Sequence, residues 1–268
     1  MKASLPLGAL AAAFILLAVL AAKEAGTCRK GEGPEAIVSC SLLIKYIPFT
    51  SMKAGFLAER AARYDKAGMP TKALGDLTDL AGLTGSLSPE RMLEAYNRLA
   101  VLNFKTGKLS EMRKYADLAV KNGSADPEVY LSRASVNLSR ENYAEALVDL
   151  QKAESLGYKH PSLYFSLGDA YKGLGQYDKA YTTLKDALPL MTADGDKAQI
   201  ARLLGLTCFE VKNYAESVQY LKQALDYGLN CPDCPAAIAM AQQLLDQQPA
   251  PAGKKRAPKG VKHGGKTQ

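Results

Sequence analysis

The chain has 268 residues, room for one or two domains, with 34 Lys and Arg against 27 Asp and Glu and a formal net charge of +7. Six of those charges come from Lys254, Lys255, Arg256, Lys259, Lys262 and Lys266, beyond the last acid at Asp246, so the rest nets only +1 and does not read as a nucleic-acid-binding surface. Histidine occurs only at His160 and His263, which leaves no persuasive Ser/His or Cys/His pair for nucleophilic catalysis.

Leu5–Ala22 is an unbroken run of apolar and small residues preceded by Lys2. It fits a signal peptide with Val19-Leu20-Ala21 as cleavage site, or an uncleaved membrane anchor, for which about 17–25 apolar residues are needed. Ala25-Gly26-Thr27-Cys28 is a displaced and imperfect match to a lipoprotein signal. Residues 23–53 read as a cysteine-containing linker with a leading helix.

A pattern then repeats five times over residues 54–230. A small residue stands mid-helix at Ala61, Ala100, Ala134, Gly168 and Gly205, at intervals of 39, 34, 34 and 37 residues. Nine positions on come Pro70, Leu109, Tyr143, Tyr177 and Tyr214; twelve on, Ala73, Met112, Ala146, Ala180 and Ser217; nineteen on, Leu80, Ala119, Ala153, Ala187 and Ala224. Apolar residues follow the helical i, i+3, i+4, i+7 stripe, and no alternating strand intervenes. A fixed period in this range predicts stacked helix pairs. The small residues mark close helix crossings, so Gly168→Leu is predicted to cost about 1–3 kcal/mol by overpacking.

The fourth unit is the clearest: Pro161-Ser162-Leu163-Tyr164-Phe165-Ser166-Leu167-Gly168-Asp169-Ala170-Tyr171, then Gly175, Tyr177, Ala180, Leu184 and Ala187. This resembles the tetratricopeptide repeat (TPR) family. The resemblance implies an all-α fold: a TPR-type α-solenoid, a right-handed superhelix of antiparallel helix pairs with about five repeats plus a C-terminal capping helix. The first unit departs most, with Arg60 and Pro70 at family-apolar positions, although Pro70 suits the start of a second helix. Met112 and Ser217 stand where the family has Ala, and Cys208 where it has an aromatic. The family's closing Pro is replaced by Tyr158, Thr192 and Leu229, so varied inter-repeat turns are expected, with insertions near Gly82–Ser88 and Thr192–Asp196. Residues 231–247 would form the capping helix. Residues 248–268, rich in Pro, Gly and Lys, would be a disordered basic tail, best read as a solubilising end.

In the resembled family the first helix of each pair lines a concave groove. Carrying its slots over gives Asn97, Val101, Phe104, Leu131, Leu138, Phe165, Arg202, Leu206 and Phe209, a mainly apolar set suited to an amphipathic helix or a peptide with apolar anchors. The alternative is that some of them pack on a neighbouring repeat or on the Ile37–Phe49 segment. Family members that grip a partner's C-terminal carboxylate use Lys and Asn at two of these slots; the first unit has Ala58 and Ala62 there, so such a clamp is not expected.

Of five cysteines, Cys208 reads as a small buried apolar residue. Cys28 with Cys40 and Cys231 with Cys234 are candidate disulfides in an oxidising compartment. Cys231-Pro232-Asp233-Cys234 is also a Cys-x-x-Cys redox motif, without the strand–helix context that usually carries one. Two sulfurs and two distant histidines supply no zinc set, and no cofactor is indicated. Glu145, Asp149 and Glu216 read as solvated helix faces. The expected function is a non-enzymatic scaffold or assembly adaptor, exported to a bacterial periplasm or anchored in the inner membrane with its repeats outside the cytoplasm. Its partner would be a protein, not a nucleic acid or a small-molecule substrate. The alternative is a thiol-dependent factor in redox or cytochrome maturation that uses Cys231 and Cys234.

Overall fold

All the secondary structure among the described residues is helical. The computed structural model describes the backbone of residues 7–83 and 87–248, and side chains from residue 18 on. Two leading helices, α1 (Leu7–Lys30) and α2 (Gly33–Tyr46), precede the repeats. The repeats are α3 (Thr50–Lys66) with α4 (Pro70–Gly82), α5 (Pro89–Lys105) with α6 (Leu109–Lys121), α7 (Pro127–Ser139) with α8 (Tyr143–Ser155), α9 (Pro161–Gly173) with α10 (Tyr177–Ala187), and α11 (Asp194–Glu210) with α12 (Tyr214–Asp226). Helix α13 (Cys234–Gln247) closes the series. The chain divides into two compact bodies, Met1–Gly175 and Gln176–Gln268, with the division inside the fourth repeat.

The expected leader boundary at Ala22 falls inside α1, which runs on to Lys30. Of the apolar run, only side chains from Ala18 on are described, and Val19 and Leu20 are exposed. Among the described residues no helix is long and apolar enough to cross a membrane. The basic tail, from residue 249, lies outside the described residues.

Helix starts follow from the sequence. Ser88, Asp126 and His160 each accept a hydrogen bond from a first-turn amide, and each is followed by a proline that sacrifices no helical hydrogen bond. Pro70 opens α4 as its first residue, without a side-chain cap. The inter-repeat turns vary as expected: a 3-10 turn at Leu188–Leu190 follows α10, while three others share one plan. Ser124, Tyr158 and Leu229 donate back to Ala119, Ala153 and Ala224, satisfying a carbonyl at each second helix's end. The turns within repeats follow one plan too: the residues at 68, 107, 141, 175 and 212 all have positive φ. Three are glycines; the others are Glu141 (φ 61°) and Lys212 (φ 60°).

The first body is cored by the pattern's small and aliphatic residues. Ala61, Ala73, Leu77, Leu99, Ala100, Met112, Ala116 and Ala119 join one cluster; Ala134, Ala146, Leu150, Ala153, Leu163 and Leu167 join a second. Two polar pairs interrupt this packing. Arg60 donates Nε to Asp76 Oδ2 at 2.9 Å and NH2 to Oδ1 at 2.7 Å. Arg133 reaches Asp149 in the same bidentate way, at 2.8 and 2.6 Å. Asp149 is therefore not the solvated carboxylate expected of it: its side chain is only 4% exposed. Each arginine spends its remaining nitrogen on the preceding helix, Arg60 on Ser41 and Arg133 on Asp117. The hydrogen bonds to these carboxylates outweigh burial and raise both guanidinium pKa values. In front of the repeats, the Cys28–Cys40 disulfide joins α1 to α2 and sits with Leu43 and Phe56 in a separate small core.

In the second body α11 crosses α12 at Gly205. A Cβ on Gly205 would lie 2.7 Å from Leu221 Cγ. Ser217, where Ala was the family residue, donates its hydroxyl to the Gly205 carbonyl at 2.8 Å. Glu216, also expected to be solvated, is half-buried and accepts from the Tyr181 hydroxyl at 2.7 Å. Helix α13 packs on α12 through Leu221, Leu225, Ile238 and the Cys231–Cys234 disulfide.

Candidate functional site

A hollow of about 470 Å³ opens between the first helices of repeats one and two. Its floor is made of small residues, Ala54, Gly55, Ala58 and Ala62 on α3, spaced to share one helix face. Its opposite wall is Arg91, Glu94 and Arg98, at i, i+3 and i+7 on α5. Arg91 lies above Gly55, where a Cβ would come 4.0 Å from its NH1. Arg98 NH1 donates to the Ala58 carbonyl at 3.3 Å. Arg29, from α1, closes the rim with its guanidinium 5.7 Å from the centre of the Phe56 ring. The Cys28–Cys40 bridge holds the neighbouring residue, so this cation is fixed from outside the repeats.

The two carboxylates of the hollow differ. Glu59 Oε2 is taken by Arg63 NH1 at 2.8 Å, whereas Glu94 pairs with no other described side chain. A second hollow, of about 690 Å³, adjoins the first through Arg29, Glu59 and Ala62, and adds the cations Lys30, Arg63 and Lys66 against one further carboxylate, Glu32. The amino-terminal concavity is thus basic, while the carried-over slots described an apolar groove. Repeat slots could not point to Arg29, which lies outside the repeats. The one usable signal was the spacing of Arg91, Glu94 and Arg98.

The carried-over residues are placed as follows. Asn97 Oδ1 accepts from Ser124 Oγ at 2.8 Å and so ties a turn to α5. Val101 is buried in the first cluster, with Phe104 packed against it. Leu131 and Leu138 pack against the second cluster, and Phe165 is half-buried. In the second body Arg202 turns to the α13 end: NH2 pairs with Asp233 at 2.9 Å and Nε lies 3.3 Å from Cys231 Sγ. Leu206 packs with the Cys231–Cys234 cluster, and Phe209 meets Tyr214 edge-on at 5.5 Å. None of the nine is among the exposed large hydrophobic residues.

Apart from the free, buried Cys208, the cysteines form two bridged pairs. Cys28 and Cys40 are fully buried. Cys231 and Cys234 stand at the start of α13 beside a cation. There the Arg202 hydrogen bond, with the local backbone, holds the exposed Asp233 carboxyl below its ordinary pKa. Cys231, Asp233 and Cys234 bring possible ligand atoms within 4.8 Å of one another, but the two sulfurs are bonded to each other.

Comparison with known proteins agrees with this architecture. Residues 159–228 match the tetratricopeptide repeat family model. Among solved structures, the APC/C hetero-tetramer Cut9–Hcn1 superposes with a TM-score of 0.55 at 20% identity, over 77% of this chain and 39% of that one. The chain thus spans about two fifths of that relative's length. MamA AMB-1 gives 0.55 at 18% identity, over 67% of this chain and 94% of that one. Another MamA structure gives 0.53 at 18%, over 62% and 93%. At these identities the likeness is one of fold. A sequence comparison with curated proteins finds no match.

Proposed function

From the helix pairs and the match of residues 159–228 to the tetratricopeptide repeat family model, we propose that this chain is a non-enzymatic scaffold or assembly adaptor that holds a protein partner on the first-helix side of its amino-terminal repeats. The observation that carries this reading is the basic hollow between α3 and α5, where a floor of small residues lets another chain approach closely. Half-buried Leu131, Leu138 and Phe165 offer apolar contacts on the later first helices of the same body. Export, to a periplasm or with an inner-membrane anchor, is part of the proposal. It is supported by the apolar run at Leu5–Ala22 and by two disulfides, which persist in oxidising compartments. The test is affinity capture from the native membrane fraction with wild type and a Leu138→Asp, Phe165→Ala variant whose helix content is unchanged. Loss of the same captured protein from the variant supports the reading; identical capture removes the apolar part of it.

A second reading has one observation in its favour, the Arg202 guanidinium 3.3 Å from Cys231 Sγ. A cation there, at the start of α13, would favour a thiolate once the disulfide is reduced. This is the thiol-dependent factor in redox or cytochrome maturation. Thiol titration in graded dithiol buffers tests it: a pair that stays oxidised, with Cys231→Ser silent in the cell, ends this reading.

A further inference from the structure

We infer that the hollow between α3 and α5 is a recognition site for an acidic peptide segment, with Arg91 and Arg98 contacting its carboxylates and Arg29 flanking them. The inference rests on the scaffold reading and names the chemistry of its partner. Three guanidinium groups line one hollow of about 470 Å³, and none of them has a carboxylate partner among the described residues. Arg98 gives a single bond to a carbonyl, Arg29 lies over a ring, and the Arg91 guanidinium has no described hydrogen-bond partner. Arginines at i and i+7 on one helix face stand about 10.5 Å apart along the axis, so each planar fork can take a separate two-oxygen acceptor. The floor matters equally. Gly55, Ala58 and Ala62 remove the side chains that would hold a peptide backbone away from α3.

A continuous polyanion fits less well. Glu94 stands between the two arginines on α5, and Glu59 on the facing helix, so a phosphate chain would meet a carboxylate at its centre. A peptide can place acids against Arg91 and Arg98 and an amide or a basic residue against Glu94. The adjoining hollow, with Lys30 and Lys66, extends the cationic lane for further acids.

The test uses the full chain and a short fluorescent peptide rich in Asp and Glu, in free-carboxylate and amidated forms, read by anisotropy. Wild type is expected to bind both forms, more weakly as ionic strength rises. Arg91→Gln is expected to weaken binding roughly tenfold, because it removes charge-assisted hydrogen bonds. Glu94→Gln is expected to tighten it severalfold, a gain that misfolding cannot imitate. Binding of the free-carboxylate form alone would overturn side-chain recognition. So would no binding, equal affinity in wild type and Arg91→Gln, or preference for a single-stranded oligonucleotide over the peptide. If protein capture still depends on Leu138 and Phe165 while the peptide results fail, only this inference falls. If capture fails as well, the scaffold reading falls with it.

Discussion

Arg133 and Asp149, sixteen residues apart, meet as a two-pronged ion pair inside the hairpin of the third repeat, and Arg60 and Asp76 repeat the geometry at the same separation in the first. Each arginine occupies the position just before the small crossing residue, where the other repeats carry Leu99, Leu167 and Leu204. The position therefore tolerates a charge only because an aspartate sixteen residues on supplies both acceptor oxygens.

Removing one partner should cost more than removing both. Asp149→Ala leaves a largely buried guanidinium short of an acceptor and should destabilise the chain by about 2–3 kcal/mol. Arg133→Leu combined with Asp149→Thr installs the residues the fourth repeat carries at these offsets, Leu167 and Thr183. It should recover most of that loss. Urea unfolding midpoints compare the three proteins; a loss below about 1 kcal/mol in Asp149→Ala would show that the pair is not structural.

Glu141 and Lys212 hold the left-handed conformation that glycine holds in the equivalent turns, and both are exposed. A side chain there costs about 1–2 kcal/mol, and glycine returns about 0.5–1 kcal/mol of unfolded-state entropy. Glu141→Gly and Lys212→Gly should each stabilise the protein by about 0.5–1 kcal/mol. Thermal melting checks this, with Lys152→Gly, in a helix interior, as the opposite case.

Burial, reinforced by Glu216, pushes the Cys208 thiol up to about 12. The folded chain therefore keeps this proton to higher pH than the unfolded chain, whose thiol titrates near about 8.5. Across that interval unfolding releases a proton, so stability falls as pH rises from the lower value to the higher. Cys208→Ala should flatten the alkaline slope without changing the acid one. In native wild type Cys208 should resist maleimide labelling at neutral pH; prompt labelling would contradict its burial.

At Gly205 even one methyl is too much. The added Cβ would press on Leu221 at 2.7 Å from Cγ and 3.1 Å from its backbone nitrogen. Gly205→Ala should cost about 1–3 kcal/mol. Combined with Leu221→Val it should cost less than the two single changes summed, because one substitution makes room for the other. Strict additivity in calorimetry would show that the contact relaxes by another route.

Much of the architecture was legible because its signals are local. Ala61, Ala100 and Ala134 mark crossings whatever surrounds them, and Pro70 opens a helix wherever one follows. The two ion pairs were not legible. A carboxylate on a helix reads as solvated until the facing helix brings an arginine to it, and only folding joins positions sixteen apart. The surroundings of the candidate site residues were legible only in part. Arg202 and Leu206 sit at groove slots but are claimed by the α13 end, and Val101 by its own core. Ala58 and Ala62 signified a missing clamp in sequence; in three dimensions their smallness makes the space that Arg91 and Arg98 face.

An array of hairpins whose crossings are built mostly from small and aliphatic residues gives one hairpin few means of telling its mate from the next. The Arg–Asp forks supply that discrimination in the first and third repeats. A first helix that docked one repeat out of step would set Arg60 against Tyr115, or Leu99 against Asp76, and strand an interior charge. Each fork penalises docking onto the adjacent repeat, so the chain's departures from its own repeat help keep those hairpins with their own mates.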